Sequence, residues 1–445
     1  MQSPMRWIAI LAVMLLVLAA CTTEESPSPS GSAPEASITE DPAAICDADE
    51  FGCVEVPEGD PVRLASANTF SGGALFLGLD VAYGVEIAAN DRQQIFGHPV
   101  EIVRQDAGCS DAASGQTAAQ AIVADQSIAG VIGTTCSRTA VPAMPVLADA
   151  GLTMISASNT APSLTDPTNA EFGGPFYFRT AYNDLVQGAA VAKFVCEELS
   201  PTPQTAATIH DGSPYAQQLQ QVFQDEFTSQ CGGTITSAEA IQVLDTAFQG
   251  LLTSICADSP DVLFYPIFDP EGGLITQQTQ EVSGCEDTIL FGADGIKDQG
   301  FIDQAGPLAV ELGMYFSGPD LNFGSAYTDE FLPKYRELSG TVNPIAPYHA
   351  HGYDAANILM DAITAVGLVD ADGTLWIPRT AVRDFVAGLT DYPGLTGNLT
   401  CNENGDCGSS FVSVAQLVPD EDQPVPSSGV VPLKFQELWT TRSAE

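Results

Sequence analysis

Residues 129–156 read AGVIGTTCSRTAVPAMPVLADAGLTMIS. An apolar run ending at Gly133 leads into a turn of small residues. A helical stretch follows over Arg138–Ala150, its first turns weakened by Pro142 and Pro145, and a second apolar run covers Thr153–Ser156. This is a strand–helix–strand unit, and a helical crossover joins parallel strands. The same rhythm precedes it. Val62–Asn68 and Val100–Gln105 read as strands, Leu77–Arg92 and Asp111–Asp125 as helices. It restarts after Arg179, with helices at Asp184–Leu199, Tyr215–Ser229, Thr246–Cys256 and Gly272–Val282. Between them lie strands at Thr205–His210, Ile235–Ala240, Val262–Phe268 and Thr288–Gly292. Two successive units of this kind predict an α/β fold of two doubly wound parallel-sheet lobes with a ligand cleft between them. The remainder is less regular: Met314–Ser317 and Phe411–Leu417 are strand-like, while Ser325–Leu338, Tyr353–Val366 and Arg379–Leu389 are helical.

The chain has 445 residues and a net charge of -43, from 57 acidic against 14 basic residues. Such a chain repels phosphate backbones and anionic bilayers, so nucleic acid is not an expected partner. The N-terminus breaks the pattern. Arg6, the apolar run Trp7–Val17 and small residues thereafter read as a signal peptide over 1–20. The ending Leu18-Ala19-Ala20-Cys21 resembles a bacterial lipobox, which implies lipid on Cys21 and a membrane anchor through it. Residues 21–61, rich in Ser, Pro and Glu, are expected to form a flexible tether. In an oxidising compartment the other ten cysteines make five disulfides. Cys46/Cys53 and Cys401/Cys407 close small loops; Cys109/Cys136, Cys196/Cys231 and Cys256/Cys285 are the working assignment for the rest, since spacing does not fix connectivity. No CxxC, GxGxxG or P-loop occurs, and neither cofactor nor metal is expected.

Ligands of open α/β sheets bind beyond the carboxyl ends of strands. In the first lobe those ends carry Thr69–Gly73, Thr134–Ser137 (with Thr135) and Ser156–Thr160. Hydroxyls and N–H groups at helix starts form a neutral site for a carboxylate. In the second lobe they carry His210–Tyr215, Phe264–Phe268 and Gly292–Gly295, which supply aromatic walls and one carboxylate, Asp294. Singly, each is equally a helix cap or a turn; together they fit a small zwitterion buried by lobe closure. Two enzymatic or metal readings compete. Cys136 or Ser137 as a nucleophile needs one of His98, His210, His349 or His351 as base, and no GxSxG is present. His349-Ala350-His351 with Asp354 has a metal-like spacing if the segment is a strand. Asn398-Leu399-Thr400 matches a glycosylation sequon, which the bacterial lipobox argues against.

From Val62 to Leu417 the chain resembles the leucine/isoleucine/valine-binding proteins, type 1 periplasmic substrate-binding proteins of ABC importers. The resemblance is carried in order by Ser71-Gly72 with Gly78 and Gly84, Val131–Gly133 with Cys136-Ser137, and Met154–Ser156 through Leu164-Thr165. It continues through Phe178-Arg179-Thr180, His210-Asp211 with Tyr215, Gly292–Gly295 and Gly352–Ala356. It implies a three-stranded hinge, with crossings near 179–182, 313–317 and 394–398. Lobe one is then 62–180 plus 318–394, and lobe two is 181–314 plus 396–445. It also implies roles. Ser137 and Thr160 hold the ligand's polar end, and the Ser158 carbonyl and Asp294 take the ammonium. Tyr215 and Phe268 fold over the ligand, and Cys109 pairs with Cys136. Asp294 stands where the amino-acid binders have glutamate, and Leu77 where an aromatic is frequent. Arg138 adds a cation that either reaches a second ligand carboxylate or points to solvent. The implied function is an extracytoplasmic, lipid-anchored solute-binding protein. It captures an amino acid, amide or similar small polar solute and delivers it to the permease subunits of an ABC importer. A ligand sensor of the same fold and an exported hydrolase are the alternatives.

Overall fold

The structure, a computed structural model, describes residues 41–442. Two sheets organise it. The first runs, in spatial order, Gln94–Ile95, His98–Arg104, Val62–Ala67, Ile128–Gly133, Met154–Ser156 and Tyr177–Arg179, parallel except for the edge hairpin. The second runs Leu433–Thr440, Val412–Pro419, Tyr315–Pro319, Ile289–Gly292, Val262–Tyr265, Thr205–His210 and Thr234–Ala240. Its first two strands are antiparallel additions to a parallel set. Helices cover both faces of the first sheet, which is why Ile128–Gly133 is buried at every position and reads as an unbroken apolar run. Leu64, Ile132 and Ile155 pack against the helix His349–Val366 on one face, while Ala65, Val131 and Met154 pack under Ser137–Asp149 on the other. The core of the second sheet is aromatic, with Phe223, Phe264 and Phe291 in mutual contact.

The chain passes between the sheets after Arg179, after Pro319, and between Leu399 and Val412. The last two passages fall later than the expected 313–317 and 394–398. Tyr315–Pro319 is a full strand of the second sheet, and Gly397–Leu399 turns back on Tyr392–Gly394 as a hairpin. Leu433–Thr440, an edge strand largely open to solvent, alternates only over Leu433–Gln436 and was not expected.

Residues 41–61 are a larger correction. The expected tether contains a helix, Pro42–Ala48, capped by Asp41, and a strand, Cys53–Val56, paired antiparallel with Leu375–Pro378. Val54 and Val56 are buried in the first core. Their alternation in Cys-Val-Glu-Val is a strand signal that the polar composition of the longer segment averages away. The signal peptide, Cys21 and the tether up to residue 40 lie outside the described residues. The described residues contain five disulfides, pairing Cys46–Cys53, Cys109–Cys136, Cys196–Cys231, Cys256–Cys285 and Cys401–Cys407 as assigned. Among them no helix is long and apolar enough to cross a membrane.

Candidate functional site

Where strand Ile128–Gly133 ends, Cys136 is tied to Cys109 and Ser137 opens the helix Ser137–Asp149. A disulfide sulfur is no nucleophile. The helix start has no side-chain cap, so its first N–H groups are not taken up by a capping side chain. Ser137 is buried, and its hydroxyl accepts the Ala161 N–H at 3.4 Å, which docks the next loop beside it. Thr160 is in that loop, its carbonyl accepting the Asp184 N–H at 2.9 Å. Ser158 donates its hydroxyl to the Thr135 carbonyl at 2.9 Å. Thr135 spends its own hydroxyl inside the lobe, accepting from the Thr69 N–H and donating to Asn68 Oδ1. Its side chain is therefore a fastener of these loops.

Asp294 sits in the short turn after strand Ile289–Gly292 and is buried. Its Oδ1 accepts from the Tyr215 hydroxyl at 2.9 Å and from Gln187 Nε2 at 2.8 Å. Its Oδ2 accepts from the Tyr348 hydroxyl at 2.8 Å. Tyr215 and Phe268 form an aromatic wall, ring centroids 5.1 Å apart. Phe268 packs against the cores of both sheets, meeting on the first the core that holds Leu77. Asp294, Tyr215 and Phe268 are thus gathered at one place, and Leu77 lies in the core that Phe268 packs against.

Reading strand ends alone missed Asp184, Gln187, Tyr182 and Tyr348. Asp184 and Gln187 lie three apart on helix Asp184–Glu197, hence on one face, and Tyr348 precedes helix His349–Val366. Their only sequence signal is polarity on the buried side of a helix start. Oε1 of Gln187 is buried with no hydrogen-bond partner, and the buried carboxylate of Asp184 has only the Thr160 hydroxyl beside it. Burial, and after it the Asp294 charge, push the Asp184 carboxyl well above the usual range. Burial also raises Asp294, against the pull of its three donors. Buried acceptors without donors are costly and rare. A primary ammonium, with one positive charge and three N–H groups, satisfies this side; uncharged donors on the Ser137 side suit a carboxylate.

Arg138 takes neither of its expected courses. Its guanidinium crosses to the other lobe, donating to the Asp211 carbonyl at 3.0 Å and lying 3.5 Å from its carboxylate. Gln218 makes a second bridge, accepting from the Ser163 N–H at 2.9 Å and donating to the Ser163 hydroxyl at 2.8 Å. The pair at Arg138 is partly exposed, so its contribution is modest. Arg138→Gln is expected to speed ligand release by about two- to fivefold, read by stopped-flow fluorescence. Release at the wild-type rate would show that the bridge does not hold the lobes together.

The histidines are accounted for elsewhere. His349 and His351 lie in the first turn of a helix and do not share a face. His349 Nδ1 faces Asp80 at 3.0 Å and its Nε2 meets the Tyr327 hydroxyl at 2.7 Å. His351 is buried and pushed down to about 3, by burial first and His349 second. Asp354 accepts from the Leu395 and Thr396 backbone. Nδ1 of His210 accepts the Gly212 N–H at 2.9 Å. Among the described residues no group of three or more His, Cys, Asp or Glu is placed to hold a metal.

A family model described as periplasmic binding protein matches residues 61–419. The Leu/Ile/Val-binding protein BraC3 of Rhizobium johnstonii is 27% identical over 333 residues, 73% of this chain and 82% of that protein. Among solved structures, a leucine-binding protein, LivK, from Thermotoga maritima superposes with a TM-score of 0.70 at 23% identity, covering 84% of this chain and 97% of that one. A solute-binding protein of an ABC transporter from R. palustris, in complex with 4-hydroxybenzoate, gives 0.70 at 16% identity, covering 86% and 97%. These relatives and neighbours are solute-binding proteins and not enzymes, and with them the hydrolase alternative falls.

Proposed function

The chain belongs to the periplasmic binding protein family, and from that premise we propose that it captures an amino acid between its two lobes and hands it to an ABC importer. In this reading each sheet with the helices that cover it is one lobe. The observation that carries the ligand class is the buried acceptor pair of Asp184 and Gln187 beside Asp294. It asks for an ammonium group. The R. palustris neighbour is in complex with 4-hydroxybenzoate, which has none, and an acid pair of this kind repels such an anion. With Arg138 bound to Asp211, that cation is not offered to a second carboxylate, so the favoured ligand is a monocarboxylic amino acid with an apolar side chain against Tyr215 and Phe268. Ser137 and Thr160 hold its carboxylate; Asp294, Asp184 and the Ser158 carbonyl hold its ammonium. The lipid anchor on Cys21 and the extracytoplasmic site of action belong to the same reading, supported by the lipobox-like ending and the five disulfides.

A thermal-shift screen of amino acids, their amides and small carboxylates tests it. Stabilisation of about 2.7 kcal/mol is expected at a hundredfold the dissociation constant. The pH dependence has a definite sign. Asp184 and Asp294 are raised in the folded protein. Their contribution to ligand-free stability is therefore full below about pH 4, the unfolded value, and lost as pH rises through the raised folded values. The ligand's ammonium replaces that proton, so the ligand-induced shift grows with pH over the same window. A screen with no amine-bearing hit at any pH would reject the assignment.

A further inference from the structure

We infer that Asp406, in the disulfide-closed loop Cys401–Cys407 on the third passage between the sheets, is a positioning residue of the cleft. It holds Arg179, and Arg179 holds the loop that carries Thr160. The inference rests on the cleft being the ligand site.

Arg179 is the last residue of strand Tyr177–Arg179 and is fully buried. Its Nη1 donates to the carbonyls of Asn159, at 3.1 Å, and Ala161, at 2.8 Å, the two neighbours of Thr160. Nη2 donates to the Thr165 hydroxyl at 2.7 Å. With both flanking carbonyls turned to the guanidinium, Thr160 is fixed between them. The carboxylate partner of this buried cation is Asp406, whose Oδ1 accepts from Nε at 2.5 Å. Asp406 Oδ2 accepts from the Thr165 hydroxyl at 3.1 Å and from Asn183 Nδ2 at 3.4 Å. Asn183 caps the helix that presents Asp184 and Gln187. One carboxylate outside the cleft thus touches the supports of both ligand-facing segments.

The loop is built to hold that carboxylate still. The Asp406 N–H donates to the Asn402 side chain at 3.0 Å, and the Asn402 N–H to the Asp406 carbonyl at 2.9 Å. The Cys401–Cys407 bond closes the loop across a separation of six residues. The Arg179 N–H donates to the Gly405 carbonyl, and the Cys407 N–H to the Arg179 carbonyl, both at 3.0 Å. Gly405 has a φ of +95°, and a Cβ there would lie 2.3 Å from the Tyr177 carbonyl, so only glycine lets the loop approach. Removing the acid leaves a buried guanidinium uncompensated, which pulls it toward water and away from the two carbonyls. The cleft then has its groups present and loosely held.

The test compares the intact chain with Asp406→Ala, with Asp406→Asn, which keeps the volume should alanine fail to fold, and with Cys401→Ser/Cys407→Ser. Hydrogen exchange of the ligand-free proteins is expected to rise over residues 157–165 and not over the helix Ser137–Asp149. Calorimetry is expected to give about tenfold weaker binding of L-leucine, with a smaller change for leucinamide, which lacks the carboxylate. A loss of stability alone would not produce that split. Unchanged exchange over 157–165 overturns the inference whatever the ligand. Raised exchange with L-leucine and leucinamide weakened alike overturns it too. A wild-type protein that binds neither probe overturns the amino-acid reading of the cleft instead, and the exchange result still judges the role of Asp406.

Discussion

Replacing Asp294 with alanine is expected to weaken any amine-bearing ligand by about two orders of magnitude or more, the scale for truncating one partner of a buried, hydrogen-bonded charge pair. Three donors, from Tyr215, Gln187 and Tyr348, converge on this carboxylate. The variant loses the charge and leaves those donors without an acceptor. Asp184 remains, but without Asp294 beside it, it meets the ammonium alone. Isothermal titration with an amino acid and its des-amino acid separates the causes: the first should lose most of its affinity, the second little or none. The ligand-free variant should not lose stability in proportion. Burial and the Asp294 charge are what raise Asp184, so removing one acid relieves the other, and Asp294→Asn should raise the ligand-free melting temperature. This is the trade expected of a site that stores an unfavourable charge for its ligand. Equal affinity of wild type and Asp294→Ala for the amino acid would exclude the ammonium role.

How much of this was legible depends on where each residue sits. The parallel strands are buried on both faces, so Ala129-Gly130-Val131-Ile132 and Val262–Tyr265 stand out as apolar runs, and the residues just beyond them can be located without coordinates. Ser137, Thr160 and Asp294 are located in this way as candidates. Cys46–Cys53 and Cys401–Cys407 are legible because the loops they close are short, and Cys109–Cys136 through the resemblance; nothing in the spacing of the other four cysteines fixes their pairing. What stayed hidden depends on three-dimensional proximity. Asp184 reads as an acid at a helix start, and only its apposition to Asp294 makes it part of the site. Tyr348 and Asp294 are 54 residues apart and meet only because the second passage brings the following segment back to the cleft. Arg138 looked like a specificity residue because the sequence places it beside Ser137. Its reach across to Asp211 is a property of the closed lobes. The strand Cys53–Val56 is too short to outweigh the polar segment around it, and its partner Leu375–Pro378 is over 300 residues away.

The same closed arrangement makes Gly73→Ala the severest test of the mechanism. Gly73 belongs to the loop after the first strand, and the atom facing it belongs to the other lobe. A Cβ there would lie 1.9 Å from the Asp269 carbonyl oxygen and 3.1 Å from Pro270 Cδ. A backbone oxygen cannot step aside as a side chain does, so relief comes from keeping the lobes apart. Gly73 is half-buried in the closed form, and separation of the lobes removes the clash, so the ligand-free protein should fold and melt normally. Overpacking of this kind costs about 1–3 kcal/mol, and a cost confined to the closed state divides the dissociation constant by the fraction still able to close, so affinity weakens about five- to 150-fold. The loss falls on the dissociation rate, because encounter with the open cleft is untouched. It should also be the same for every ligand and at every pH, since nothing chemical has changed. Asp294→Ala, by contrast, discriminates by amine. Scattering at a ligand concentration that just closes the wild type should report more of the open envelope for Gly73→Ala, with closure recovered as ligand is raised. Wild-type affinity in Gly73→Ala would mean that ligand is held without the lobe contact seen here, and closure would then have no part in binding.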